Sequence, residues 1–400
     1  MLARAGHIGL ATLLLVAPAA AQTADSRAAE IARQQEEKAR TLSPYRSNWW
    51  ENTLLSIEEA GGFNVPRGFF VTFGDIKQGS SVALGPAYGK TFQNGASVIV
   101  KAAYSIRQFK LAQVFVQAPP LAGGRLTING RARWQDAPEL AVYPLGRTSP
   151  KMRANYAEEK TEFSAQALLA PVPFIRVGGG AAFESFETAG AGSARFPSVE
   201  ELFSAVDMPG IGADPRYVHS FLTAGIDSRT GPGFSRTGTQ LQATLHDYRQ
   251  QNDGPWSFRR VDGIARQLIP ILHGNWVIDL SVRASTTDAD DGNQVPFFLM
   301  PDLGGSRELR GFSNYRFRDR HSIIATAEYR WYVQEYAEMA LFYDAGKVVS
   351  RKGDLDFTGL KSDVGVGLRF HTPGTTVLRF EVARSNEGVR LIFGFGPAIR

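Results

Sequence analysis

Arg310 stands in a setting suited to one kind of chemistry, the holding of a charge. It follows the glycine pair Gly304-Gly305 and Leu309 and precedes Gly311-Phe312, within PDLGGSRELRGFSNYRFRDR at 301–320, which has more arginine than a connecting loop needs. A loop of that length inside a compact unit is either functional or disordered. Phe312, Tyr315 and Phe317 make it too aromatic for disorder. A guanidinium can grip a carboxylate through two parallel hydrogen bonds, and two carboxylates follow. Read with period two, residues 323–331 turn Thr326, Glu328 and Arg330 to one side, and residues 338–344 turn Glu338, Ala340, Phe342 and Asp344 together. If these faces line a lumen, Glu328 and Asp344 meet Arg310, and losing any one of the three leaves a costly unpaired charge. On periodicity alone, charges simply solvated by lumen water remain the plainer alternative.

Other reactive residues form no constellation. The six histidines, His7, His219, His246, His273, His321 and His371, are scattered, with no pair at helical metal-ligand spacing, so no metal site is expected. His246 beside Asp247, and Ser220 beside His219, are the letters of a hydrolase, but nothing in the sequence orients them. Asp288 to Asp291 lacks the spacing and closing Glu of a calcium loop. The chain is expected to be no enzyme, with no catalytic residue and no cofactor.

The elements that must position Arg310 are strands. From residue 67 onward apolar residues recur every second position; Val364, Val366, Leu368 and Phe370, for example, alternate with Asp363, Gly365, Gly367 and Arg369. Strands are expected at 67–77, 80–90, 95–106, 109–118, 124–135, 161–170, 172–184, 217–227, 238–247, 256–268, 274–284, 321–332, 337–346, 361–371, 375–384 and 388–395. Segments of about ten residues, each greasy on one face, cross a bilayer when tilted, and closure removes their edges. The longest gaps, 136–160, 185–216, 285–320 and 347–360, all follow odd-numbered strands, while even-numbered gaps are mostly tight. One rim therefore carries long loops and the other short turns, as in bacterial outer-membrane barrels. The expected fold is all-β: a sixteen-stranded antiparallel transmembrane β-barrel at 67–400 with a short N-terminal helical segment.

The N-terminus fits export. Residues 1–21 combine Arg4 and His7, the apolar run 10–16 and the small residues of 17–21, the pattern of a signal peptide. Residues 22–66 read as a periplasmic linker, with a polar helix at 23–40 that is either solvated or a lumen plug, and a segment at 48–59 whose Trp49 and Trp50 suit a membrane interface. Cysteine is absent, so the exported chain has neither disulfides nor thiolate metal sites. A net charge of +5 over 400 residues is too modest to argue for nucleic acid.

Several motifs then fall in one order. They are Asp227-Ser-Arg-Thr230 with Pro232-Gly233, Leu303-Gly-Gly305, Leu309-Arg-Gly-Phe312, Ala327-Glu-Tyr329, Phe342-Tyr-Asp-Ala-Gly346, and Gly365-Val-Gly-Leu-Arg-Phe370 with Thr372-Pro373. The set resembles the C-terminal barrel of the BamA/TamA superfamily, the bacterial surface antigen class that includes the two-partner-secretion pores. The resemblance implies an outer-membrane barrel whose sixth outer loop enters the lumen, with Arg310 as the loop arginine and Glu328 and Asp344 as its wall partners. It implies participation in outer-membrane biogenesis through protein insertion or translocation, and a junction between first and last strands weak enough to open sideways. Outer-membrane lipids would surround the chain, and client outer-membrane or secreted proteins and separate periplasmic proteins would be its partners. Two features depart from the pattern. Residues 22–66 leave no room for the periplasmic POTRA domains such proteins usually carry, and Gly396 to Arg400 follow the terminal aromatic Phe395. The first departure keeps a passive pore or structural outer-membrane protein as the alternative.

Overall fold

The structure, a computed structural model, describes residues 67–397 except 194, 232, 335, 373 and 374. The signal peptide and the segments at 23–40 and 48–59 lie outside the described residues. Sixteen strands form one antiparallel sheet in sequence order: β1 (Gly68–Gly74), β2 (Ala83–Thr91), β3 (Ser97–Ser105), β4 (Lys110–Gln117), β5 (Leu126–Val142), β6 (Ala154–Leu169), β7 (Ile175–Gly190), β8 (Arg216–Asp227), β9 (Gly238–Gln250), β10 (Phe258–Ile271), β11 (Trp276–Ala289), β14 (His321–Gln334), β15 (Ala337–Val349), β16 (Lys361–His371), β17 (Thr376–Ser385) and β18 (Gly388–Phe395). Two further short strands, β12 (Asp302–Leu303) and β13 (Phe317–Arg318), pair only with each other inside the longest connection. The sheet curls into a nearly closed barrel.

Alternation sets the two faces. Outward positions carry exposed Val100, Leu222, Leu245, Leu280, Leu341, Tyr343, Phe380 and Phe393, an apolar band that only lipid would cover. Trp276, Tyr329 and Trp331 cluster on the outer surface at the start of β11 and near the end of β14, where amphipathic rings mark the membrane interface. Inward positions on the neighbouring strands bury Thr326, Glu328, Arg330, Glu338 and Asp344.

The expected strand ends hold within about three residues except from β5 to β7 and at β11, which runs to Ala289 where an end at 284 was expected. Strands β5 to β7 run for 17, 16 and 16 residues, so the connection expected at 136–160 contracts to 143–153. Above the lipid a strand no longer needs an apolar outer face; Asp136 and Glu159 point outward there, paired with Lys110 and Trp134. The inner faces of these extensions instead meet the loops. Leu140, Val142, Tyr156, Phe186 and Tyr217 form a core with Phe203, Met208, Phe297, Phe298 and Met300, which covers the outer mouth. Burial that the bilayer cannot supply outside its own thickness comes from this second core.

Candidate functional site

The connection at 290–320 turns back into the barrel. Its base is tied by the two rungs Asp302↔Arg318 and Leu303↔Phe317, and one side of it is apolar. Leu303, Leu309, Phe312 and Phe317 pack on Ile324 of β14 and Val348 of β15, with Phe312 and Phe317 edge to face at 5.2 Å. The glycines have identifiable causes. Gly304 takes φ +110°, and a Cβ there would lie 2.4 Å from the Ser313 carbonyl oxygen. Gly311 lies so close to the wall that its Cβ would sit 2.6 Å from Cβ of Asp363. Both let the backbone approach where a side chain has no room.

Seated this way, the loop delivers Arg310 to the wall. Its Nε and Nη2 donate to the two carboxylate oxygens of Asp344 at 2.7 and 2.9 Å, and Nη1 donates to Glu328 at 2.7 Å. A longer contact of 3.4 Å reaches Glu381, and the guanidinium lies 3.4 Å over the Phe342 ring. Arg310, Glu328 and Asp344 are each almost wholly removed from solvent. Burial opposes the charge on Arg310, but Asp344, Glu328 and Glu381 outweigh it and hold the guanidinium above the ordinary arginine pKa. The structure thus brings together Gly304, Gly305, Leu309, Arg310, Gly311, Phe312, Glu328 and Asp344.

It also adds partners that the sequence did not pair, among them Arg330 and Glu338, which strand parity only places on the same faces as Glu328 and Asp344. Arg369 of β16 grips Glu328 with two bonds of 2.8 Å and donates to Glu381 of β17 at 2.8 Å. Arg379 donates to Glu381 at 2.7 Å and to the Ser306 carbonyl at 3.2 Å. Arg330 grips Glu338 at 3.0 and 3.1 Å, and Arg266 grips Asp279 at 2.9 and 2.6 Å. The result is an alternating lattice of arginines and carboxylates in which each charge has a partner, the condition under which burial of ions is tolerable. Every member but Arg310 sits at a lumen-facing strand position; the available signal was that parity, combined with the register of adjacent strands.

The histidines need a correction. Far from unoriented, His219 of β8 and His246 of β9 approach to 2.9 Å between Nε2 and Nδ1. Glu184 lies 3.3 Å from the other ring nitrogen of His219, and Asp262 lies 3.3 Å from that of His246. The pairing is diagonal across two strands, so helical spacing could not reveal it. Among the described residues no group of three or more His, Asp or Glu side chains is placed to hold a metal ion.

The loop also spans the seam between first and last strands. Among the described residues no ladder joins β1 to β18; on the lipid side they touch through Phe73 and Phe395, ring centroids 4.5 Å apart. From the lumen side the loop holds both edges. Gln78, in the connection after β1, donates to the Gly304 carbonyl at 2.6 Å, and Arg307 donates to Asp75 at 3.0 Å. Arg390 of β18 donates to the Arg310 carbonyl and to Asn314, both at 3.2 Å. A cavity of about 320 Å³ remains at the seam, lined by Asp75, Gln78, Arg307, Asn314, Arg390 and Phe393.

Similar folds are known. The barrel superposes on BamA from Haemophilus ducreyi lacking POTRA domains 1-3 with a TM-score of 0.60 at 14% identity, over 83% of this chain and 70% of that one. On CdiB from Escherichia coli the TM-score is 0.56 at 12% identity, over 82% of this chain and 61% of that one, so the chain spans about three fifths of CdiB. At such identities the likeness is one of fold. No curated protein matches. The Omp85 superfamily domain matches residues 222–397, which contain the loop, Arg310 and its wall partners. Over these residues the chain is similar to the Omp85 superfamily domain, carried on a sixteen-stranded antiparallel β-barrel.

Proposed function

We propose that this barrel takes part in outer-membrane biogenesis by inserting or translocating proteins, with client outer-membrane or secreted proteins as its partners. The observation that carries the reading is the seam, where β1 and β18 share no ladder and the Arg310 loop fastens both edges from inside. Strand edges without partners offer backbone N–H and C=O groups to an incoming strand. In lipid, unsatisfied groups of this kind each cost several kcal/mol, so a client strand pairing there gains more than it would in water. The latch supplies the control. While Arg310 holds Asp344 and Glu328, the loop keeps the two edges in fixed relation; its release would let them part. Separate periplasmic proteins would bring clients to the inner side, and no catalytic step or cofactor is part of this reading.

The test is reconstitution of the mature chain in liposomes, timing the folding of a denatured client barrel against protein-free liposomes. Acceleration that is lost in Arg310→Ala is the expected result. An unaccelerated client, together with large ungated conductance in planar bilayers, would overturn it in favour of a passive pore.

A further inference from the structure

The longest of the inner connections is 228–237, between β8 and β9, ten residues where the others run from two to eight. It does not hang below the barrel. It crosses the inner mouth and docks on strands from the far side of the sheet order. Gly233 bridges to Thr375 in the connection between β16 and β17, and its carbonyl accepts from the Thr376 N–H at 3.2 Å. Phe234 is buried, its ring stacked on His371 at 3.7 Å and 10°. The Ser235 carbonyl accepts from Arg330 of β14 at 3.2 Å. Arg236 lies 3.6 Å over the Tyr332 ring, donates to the Gly274 carbonyl at 2.7 Å, and meets Glu338 of β15 at 3.5 Å.

A tight turn needs none of these contacts to reverse the chain. A stacked aromatic, a largely enclosed guanidinium and a backbone bridge to the other side of the barrel are the features of a closure. Its anchor belongs to the lattice that holds the outer loop. Arg236 pairs with Glu338, Glu338 lies 3.8 Å from Arg369, Arg369 grips Glu328 at 2.8 Å, and Glu328 binds Arg310 at 2.7 Å. Ion pairs therefore run unbroken from the inner mouth to the loop that enters from the outer side.

From this geometry we infer that the turn 228–237 is an inner gate of the lumen, latched by Phe234 and Arg236 and coupled through Glu338, Arg369 and Glu328 to the seating of Arg310. Opening at one end weakens the hold at the other, because Glu338 is shared by Arg236, Arg330 and Arg369, and Glu328 by Arg369 and Arg310. The gate stands apart from client insertion, since ion flow reads the mouth without any client.

The absence of cysteine in the chain permits a clean test. Gly233→Cys and Thr375→Cys are placed together in a Phe234→Ala background, and the whole mature chain is studied in planar bilayers before and after reduction. Bridged residues lie within reach of a disulfide. The expected result is a closed state when oxidised and a several-fold rise in conductance when reduced, within one folded polypeptide, so misfolding cannot mimic the effect. Equal conductance in both states would overturn the gate. For the coupling, maleimide labelling of Gly233→Cys is timed with Arg310 and with Arg310→Ala. Several-fold faster labelling in the second supports it, and an unchanged rate overturns it.

Discussion

The two sides of the lumen use the same residue types and end in opposite states. Where the loop meets β14 to β17, the side chains of Arg310, Glu328, Asp344 and Glu381 are at most 1% exposed, each in a multiply bonded lattice. On β5 to β7, Arg131 pairs with Glu162 at 2.5 Å and Lys160 bridges Glu162 and Glu184 at 3.2 Å, yet the Arg131 side chain is 40% exposed and that of Lys160 24%. Apart from Arg310 of the loop, both sets occupy lumen-facing strand positions. The loop at 290–320 makes the difference: it encloses both partners of the pairs on one wall, while on the other the carboxylates are buried but the cations Arg131 and Lys160 stay open to water. Period two writes charge into a barrel interior, but an inserted segment decides which charges become structural.

The largest expected consequence is at the centre of the buried side. Arg310→Ala removes the main guanidinium partner of Asp344 while leaving the carboxylate buried, and takes one of the two arginines from Glu328. Breaking a buried pair from one side costs about 3–5 kcal/mol, which urea unfolding of the reconstituted barrel would read, together with exposure of the loop to protease. Arg310→Lys should fall between, because a point charge cannot reproduce the bidentate grip on Asp344. Equal stability of Arg310→Ala and the native chain would mean that the wall carboxylates are solvated and that the two sides do not differ.

Sequence reading reached the buried side unevenly, for physical reasons. Glu328 and Asp344 were legible because they share strand parity with residues only a few positions from clear apolar partners. Arg369, Arg379 and Glu381 carried the same parity, but their role depends on registers such as Arg369↔Arg379 and Glu338↔Arg369 that no single strand encodes. The sixteen strands were legible because lipid demands an apolar outer face. The extensions of β5 to β7 were not, since beyond the bilayer that demand lapses and Leu140, Val142 and Tyr156 answer to loop residues far along the chain. Arg236 gave no sign at all: an arginine in a turn looks solvated until the turn is seen to cross the mouth.

A smaller effect should come from seating rather than charge. Gly311→Ala places a methyl 2.6 Å from Cβ of Asp363 and 3.0 Å from Cβ of Ser385, both on fixed strands that cannot swing away. Overpacking of this kind costs about 1–3 kcal/mol, and the strain falls one residue from Arg310. Urea unfolding should show the loss, and protease protection should show the loop partly unseated with every charge still present. Full protection would separate the fit of the loop from the strength of its ion pairs.

The smallest effect belongs to the watery side, where it sharpens the contrast. Arg131→Ala removes a pair at 2.5 Å, a shorter contact than any Arg310 makes, and short distance alone would rank it as the stronger interaction. Exposure reverses that ranking. Glu162 itself is only 6% exposed, but losing the 40%-exposed Arg131 side chain opens it to water, Lys160 still reaches it at 3.2 Å, and pairs open to solvent contribute about 0–1 kcal/mol. Added salt should shrink even that, because the Debye length falls from ~10 Å at 0.1 M to ~3 Å at 1 M. The Arg310→Ala loss should survive the same salt, since ions have no route to a guanidinium enclosed by the loop and the wall. Unfolding both variants at low and high salt therefore measures how dry each side is, and parallel salt responses would place Arg310 in water as well.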